Sequence, residues 1–220
     1  MGLAKPSGRV DALRDGETLL CLVRHGETEW NATGRLQGRT DVPLSERGRE
    51  QARLVAQELL RRAIECRVFW AAVYSSPLAR ALETARRIAE AVGLDAQVRE
   101  ALVERNFGVM EGLSWEELAA RFPHWRSRPW EVPGLEGPGE LRARAVAAIE
   151  GIAREHAGER VVVVSHGALL NAFIHAATGG EAGTGKTRLA NAAISILVGR
   201  EGSWRVEELN RTDHLESAQE

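Results

Sequence analysis

Lysine is almost missing from this 220-residue chain: Lys5 and Lys186 are the only two among 29 basic residues, and the rest are arginine. Acidic and basic residues are interleaved and sum to a net charge of -2, which excludes an electrostatic footprint for nucleic acid or an anionic membrane surface. No apolar run reaches the length of a membrane span. The N-terminal MGLAKPSGRV has neither an apolar stretch nor a signal-cleavage pattern, and Pro6 stands where N-myristoylation needs Ser or Thr. Cysteine is limited to Cys21 and Cys66, too few for a disulfide scaffold; both lie in apolar or helical pattern and are expected as buried thiols of a cytoplasmic protein. There is no tight His-x-x-x-His spacing of a metal site and no internal repeat. What remains, 44% apolar and 27% charged residues, is ordinary for one large soluble domain.

Residues 1–16 read as a loose polar arm, 17–215 as a single domain and 216–220 as a tail. Leu19 to Val23 is a short strand of the type buried on both faces, and Gly26 permits a sharp turn at its end. The turn-rich NATGRLQGRTDVPL then forms a loop over that strand end. Ser45 caps a helix whose apolar residues Ala52, Val55, Ala56, Leu59, Leu60 and Ala63 recur at helical spacing. Val68 to Tyr74 reads as a second strand running into Ser75 and Ser76. Pro77 opens the next helix, with a stripe from Leu78 to Val92, and Gly93 ends it. The stretch 94–140 differs, with four prolines, three of the six tryptophans and one short helix from Ser114 to about Arg121; it reads as a lid insertion over a sheet edge. Helix Leu141–Glu155, strand 161–165, helix 168–177 and a hairpin of Ile194–Val198 with Trp204–Glu208 complete the chain. Strands alternating with helices predict a three-layer α/β/α fold with a mostly parallel central sheet.

The first strand stops at Arg24 and His25, at the carboxyl edge where open α/β sheets bind ligands. A single Arg-His pair after a strand is most often a solvated strand end. ERVVVVSHGALLNAF repeats the design, however: Val161 to Val164 end in His166, Gly167 and a helix. Two such strands place two imidazoles over one crevice. The second strand adds Ser75, Ser76 and Arg80 at a helix N-terminus, whose free N–H groups and dipole favour anions. Two arginines and two histidines with no carboxylate in the innermost ring describe a phosphate site, since the guanidinium fork matches phosphate oxygens. Histidine can also act as a nucleophile, forming a phosphoramidate. For that His25 must be neutral, and Arg24 and Arg80 push its pKa down. The leaving alkoxide needs a general acid, and Glu100, Glu104 and Glu111 are all candidates on the residues alone.

LVRHGETEWN, GRLQGRTDVPLSERGREQA, SSPLARALETA, LVERNFGVMEG and VVVVSHGALL, in this order, resemble the histidine phosphatase superfamily, the phosphoglycerate mutase-like family, over roughly residues 19–215. The resemblance implies a phosphoglycerate mutase-like fold, His25 as the phospho-accepting nucleophile, and Arg24, Arg80 and His166, followed by Gly167, around the phosphoryl oxygens. It further implies Asn31 as a phosphate contact, Gln37 in a loop beside the site and Glu104 as the acid/base carboxylate. No metal or organic cofactor is implied. The chain is shorter than the glycolytic mutases, which carry a longer insertion after the second strand and a closing tail. The family's Gly-Gly-Glu-Ser segment is reduced to PGLEGPGELRAR, which is given no substrate contact. The LNRTDHL ending is closer to the small phosphatases acting on α-ribazole phosphate, glucosyl-phosphoglycerate or a broad set of monoesters.

The reading is therefore a metal-independent phosphomonoester hydrolase acting on a small phosphorylated metabolite, alone or as a homodimer, with a phosphoglycerate mutase-type phosphotransferase as the alternative. The acid/base logic asks for a protonated Glu104 and a rate that falls toward high pH. GEAGTGKT at 180–187 satisfies the phosphate-loop pattern G-x-x-x-x-G-K-[ST], yet a helical pattern precedes it and a strand follows, the reverse of what nucleotide binding needs; it is read as a surface loop. Trp30 packs beneath the first loop, while Trp115, Trp125 and Trp130 either wall a substrate pocket or form lid core. Arg126 and Arg128 are read as solvated rather than as a second anion site. His124, His156, His175 and His214 are surface or core residues, and Glu27 and Glu29 loop or helix-start carboxylates.

Overall fold

The computed structural model describes residues 13–216, so most of the expected arm and the last residues of the tail lie outside it. In chain order come β1 (Thr18–Arg24), α1 (Glu29–Ala32), α2 (Glu46–Cys66), β2 (Ala72–Ser75), α3 (Ala79–Val92), β3 (Ala96–Val98), α4 (Trp115–Arg121), α5 (Pro138–Glu155), β4 (Arg160–Ser165), α6 (Gly167–Ala177), β5 (Ile194–Arg200) and β6 (Ser203–Arg211). The strands form one sheet in the order β3, β2, β4, β1, β5, β6. Neighbours from β3 to β1 are parallel; β5 runs antiparallel to β1 and β6 antiparallel to β5. Among the described residues no helix is long and apolar enough to cross a membrane.

Both sheet faces are covered, which is why β1 and β4 read as continuous apolar runs. Leu20, Leu22, Val161 and Val163 pack against Leu141, Ile149, Ile152, Leu169 and Phe173 of α5 and α6. The alternate residues Cys21, Val23, Val162 and Val164 pack against Val55, Leu59, Ala81, Ala85 and Ile88 of α2 and α3. The three-layer α/β/α arrangement expected from the alternation is the one found.

The strand registers create the crevice. Arg24 pairs with Ser165 and Ser75 with Val164, so β1, β4 and β2 end side by side. Beyond β1 the chain turns to α2 on one face, and beyond neighbouring β4 to α6 on the other. Helices diverging from adjacent parallel strands leave an opening at their carboxyl ends. Phe107, Met110, Leu118 and Val132 of the 94–140 segment form a separate small core with Leu36 of the loop after α1.

Several local expectations need correction. The expected strand Val68–Tyr74 pairs only from Ala72, because α2 ends through Arg67 in the left-handed conformation (φ 53°) and the chain first turns, leaving Phe69 exposed. Pro77 precedes the α3 cap residue Leu78 rather than opening the helix. Leu60 of the α2 stripe and Cys66 face solvent; only Cys21 is a buried thiol. β3 was unforeseen: three residues at a sheet edge, mostly exposed, carry no periodicity to read. Gly26 is not needed for a left-handed turn. A Cβ there would stand 2.4 Å from the Gly48 carbonyl oxygen, and one on Gly48 would stand 1.9 Å from that of Glu27, so the pair lets α2 start directly against the loop after β1.

Candidate active site

His25 follows β1 and is 2% exposed; its backbone N–H donates to the Ser165 carbonyl at 3.0 Å. Its Nδ1 lies 2.6 Å from the Gly26 carbonyl oxygen. A carbonyl only accepts, so Nδ1 carries the hydrogen and neutral His25 keeps its lone pair on Nε2. Burial, then the charges of Arg80 and Arg24, hold His25 well below the ordinary histidine range, while the Gly26 bond opposes this. His166 is fully buried at the start of α6, its ring centroid 5.1 Å from that of His25. Its Nε2 lies 2.8 Å from Ser76 Oγ, and it too is held well below the ordinary range, by burial and then by Arg80.

The two arginines are anchored to carbonyl oxygens rather than to carboxylates. Arg24 Nη1 donates to Leu189 O at 2.6 Å, and Arg80 donates to Thr40 O at 2.9 Å and Gly38 O at 2.7 Å. Burial draws Arg24 down to about 10 and lowers Arg80, with Glu104 opposing in both cases. Arg24 Nε, Arg80 Nε and His166 Nδ1 are buried with no partner among the described residues. Orphaned nitrogens are costly unless something fills the space they enclose. Their positively charged surroundings fit an oxyanion. Gly167, the first residue of α6, lies against Arg24, where a Cβ would sit 3.5 Å from Nε.

The three candidate glutamates separate clearly. Glu100 is exposed. Glu111 is a clamp between the 94–140 segment and the loop after α1: its carboxylate accepts from the backbone of Arg39, Thr40 and Phe107 at 2.9 to 3.1 Å. Glu104, 8% exposed, accepts from Ala168 N and Leu169 N at the start of α6 and from Arg105 N. It therefore reaches the N-terminus of the helix that follows His166. Oε1 accepts two of these N–H groups and Oε2 only one, so Oε2 keeps a lone pair for a further partner or a proton without displacing any of them.

Asn31 in α1 and Gln37 on the loop after it meet Thr28 through their oxygens. Asn31 Oδ1 accepts from Thr28 N at 3.2 Å in a capping box for α1, and Gln37 Oε1 accepts from Thr28 Oγ1 at 2.9 Å. This leaves each amide NH2 as the group to offer a ligand, with O and N assigned by these bonds. The tryptophans of 94–140 divide: Trp125 packs edge-on against Phe107 in the small core there, while Trp115 and Trp130 are exposed. Arg126 stacks on Trp125 at 4.4 Å and Arg128 pairs with Glu131 at 3.4 Å, both on the surface. The 180–187 segment lies between α6 and β5, with Lys186 exposed and the Gly183 N–H held by Thr187 Oγ1, so it has neither strand before nor helix after.

Three groups around the site had no sequence signal. Arg144 of α5 donates to the carbonyls of Ala101, Val103 and Glu104 and to both oxygens of Glu136, stapling the segment that carries Glu104. Thr84 of α3 accepts from Gly26 N at 3.1 Å. Asn191 donates to the carbonyls of His25 and Gly26.

The model of the histidine phosphatase superfamily (branch 1) matches residues 20–212. The chain is 33% identical to a Bacillus subtilis protein named as the uncharacterized phosphatase PhoE, covering 90% of this chain and 97% of that one. It is 36% identical to the metal-independent phosphoserine phosphatase of Arabidopsis thaliana, covering 91% and 84%. Among solved structures it resembles phosphoserine phosphatase of Entamoeba histolytica, crystallised with 3-phosphoglyceric acid, with TM-score 0.77 and 31% identity over 90% of this chain and 99% of that one. The crevice after β1 and β4 thus lies in a chain that belongs to the histidine phosphatase superfamily, whose enzymes work through a phosphohistidine intermediate.

Proposed function

We propose that residues 17–215 act as one domain under the 94–140 lid, a cytoplasmic phosphomonoesterase that hydrolyses a small carboxylated phosphate ester without metal. The observation that carries this is the enclosure of a neutral histidine by Arg24, Arg80 and His166, each with a buried nitrogen lacking a partner among the described residues. In this reading those three residues, with the amides of Asn31 and Gln37 and the Gly167 end of α6, hold the phosphoryl oxygens. His25 Nε2 attacks phosphorus, the P–O bond to the leaving alkoxide breaks, and Glu104 supplies the alkoxide with a proton. Glu104 then takes a proton from water, whose oxygen displaces His25 and releases phosphate. The named activity of the phosphoserine phosphatase relatives supports a phosphorylated hydroxy or amino acid as substrate.

The test is phosphate release from phosphoserine, 3-phosphoglycerate and p-nitrophenyl phosphate in excess EDTA, comparing wild type with His25→Ala. Release that persists in EDTA and vanishes in the variant is expected, with an acid-labile phosphoenzyme trapped in the wild type. Conversion of 3-phosphoglycerate to 2-phosphoglycerate with little phosphate release would replace hydrolysis by phosphotransfer.

A further inference from the structure

We propose that Asn191 is the positioning residue that sets the tautomer and aim of the His25 imidazole, a role that rests on the phosphohistidine reading above. The two hydrogens of Asn191 Nδ2 are shared among three acceptors, Asn31 Oδ1 at 3.0 Å, His25 O at 3.2 Å and Gly26 O at 3.3 Å. The Gly26 carbonyl is the acceptor that places the hydrogen on His25 Nδ1. Whatever fixes that carbonyl therefore decides which ring nitrogen is free to attack.

Both peptide units flanking Gly26 are held at each end. The first has its oxygen on Ala192 N and Asn191 and its N–H on Thr84; the second has its oxygen on His25 Nδ1 and Asn191 and its N–H on Gln51. Among these partners Asn191 alone touches both carbonyls. Glycine opposes rotation of these peptides less than any other residue, so the restraint has to come from outside. Rotating the Gly26 carbonyl away would free Nδ1 and allow the proton to move to Nε2, removing the nucleophilic lone pair.

The turn carrying Asn191 is built at a cost. Ala192 has φ of 55°, in the left-handed region that alanine avoids. The flanks are fixed on both sides, by Arg24 Nη1 on Leu189 O, Asn210 Oδ1 on Ala190 N and Arg24 N on Ala193 O. The strained Ala192 stands next to the amide directed at the His25 and Gly26 carbonyls, so the turn is held where that contact is made.

The experiment reads the His25 tautomer by 15N–1H NMR in the substrate-free protein and the phosphorylation rate in single turnover, for wild type, Asn191→Ala, Asn191→Ser and Asn191→Asp. The wild type is expected as the Nδ1–H tautomer. Asn191→Ala should show mixed tautomers and phosphorylation slowed about 10- to 100-fold, the scale of a misplaced reacting group, with KM within about twofold. Asn191→Asp has the same shape but sets an acceptor against three acceptors, so it should be slower than Ala; Ser, a shorter donor, should lie between wild type and Ala. An Nε2–H tautomer in the wild type overturns the proposal without any variant, as does an unchanged tautomer and rate in Asn191→Ala. The tautomer is read without substrate, so a wild type that lacks phosphatase activity would sink the proposed function while this inference is still decided.

Discussion

Arg144→Met removes the guanidinium that joins α5 to the backbone of 101–104 and leaves Glu136, whose side chain is 10% exposed, without its main partner. Breaking a fully buried pair by deleting one member costs about 3–5 kcal/mol, and this pair is partly buried, its side chains 19% and 10% exposed. Glu136 keeps Asn106 N at 3.1 Å and Arg39 at 3.5 Å, which places the loss near the lower end. About 3 kcal/mol in a chain of this size lowers Tm by roughly 6–12 °C. The functional effect follows from Glu104, whose carbonyl Arg144 also holds. On the acid role proposed for Glu104, a loosened carboxyl would deliver its proton poorly to an alkoxide, whereas p-nitrophenolate leaves without one. Pre-steady-state phosphorylation should fall about 100-fold with phosphoserine, the scale of a lost general acid, and much less with p-nitrophenyl phosphate. A melting temperature within about 2 °C of wild type would refute the stability reasoning. Equal losses with both esters would refute the link to Glu104.

Other perturbations probe the rest of the site. His25 and His166 are both held neutral by burial, so the folded state binds fewer protons than the unfolded chain as pH falls through the ordinary histidine range. Stability is fully present above about pH 6.5 and declines below it, and His25→Asn should flatten that acid slope in a thermal melt series. For the same reason phosphorylation of His25 should continue undiminished at pH 5.5 to 6; a half-maximal rate near 6.5 would show that the arginines and burial do not act as described. Gly48→Ala puts a Cβ 1.9 Å from the Glu27 carbonyl oxygen, and backbone on both sides must move. A loss of about 1–3 kcal/mol is expected in urea titrations, together with reduced phosphorylation, since the displaced loop carries His25. Cys21 is buried, its thiol pushed up to about 12, while Cys66 is exposed, so a thiol reagent should label one cysteine in the native protein and two in denaturant.

Doubly buried strands are easy to read because each residue faces a covered surface, and so β1 and β4, with the His-Gly steps that follow them, stood out without any structure. Parallel pairing of those strands then required the two histidines to share one edge. Residues 94–140 resisted reading because most of them pack through turns and short helices around a small core with no period. Glu100, Glu104 and Glu111 look alike locally, and their fates differ through partners on α6 and on the loop after β1. Gly26 illustrates the same limit: its position suggests a turn, but its reason is the approach of Gly48.

From composition, periodicity and motif order the chain by itself determined its α/β class, its family resemblance and the inner ring of Arg24, His25, Arg80 and His166. These follow from local pattern plus the rule that parallel strands bind at their carboxyl ends. Only the tertiary structure decided which carboxylate meets α6, which arginine staples it and which amide holds the Gly26 carbonyl. Glu104, Arg144 and Asn191 act on groups 40 to 166 positions away. Such contacts depend on how elements dock, and docking is a property of the packed core rather than of any short stretch of chain.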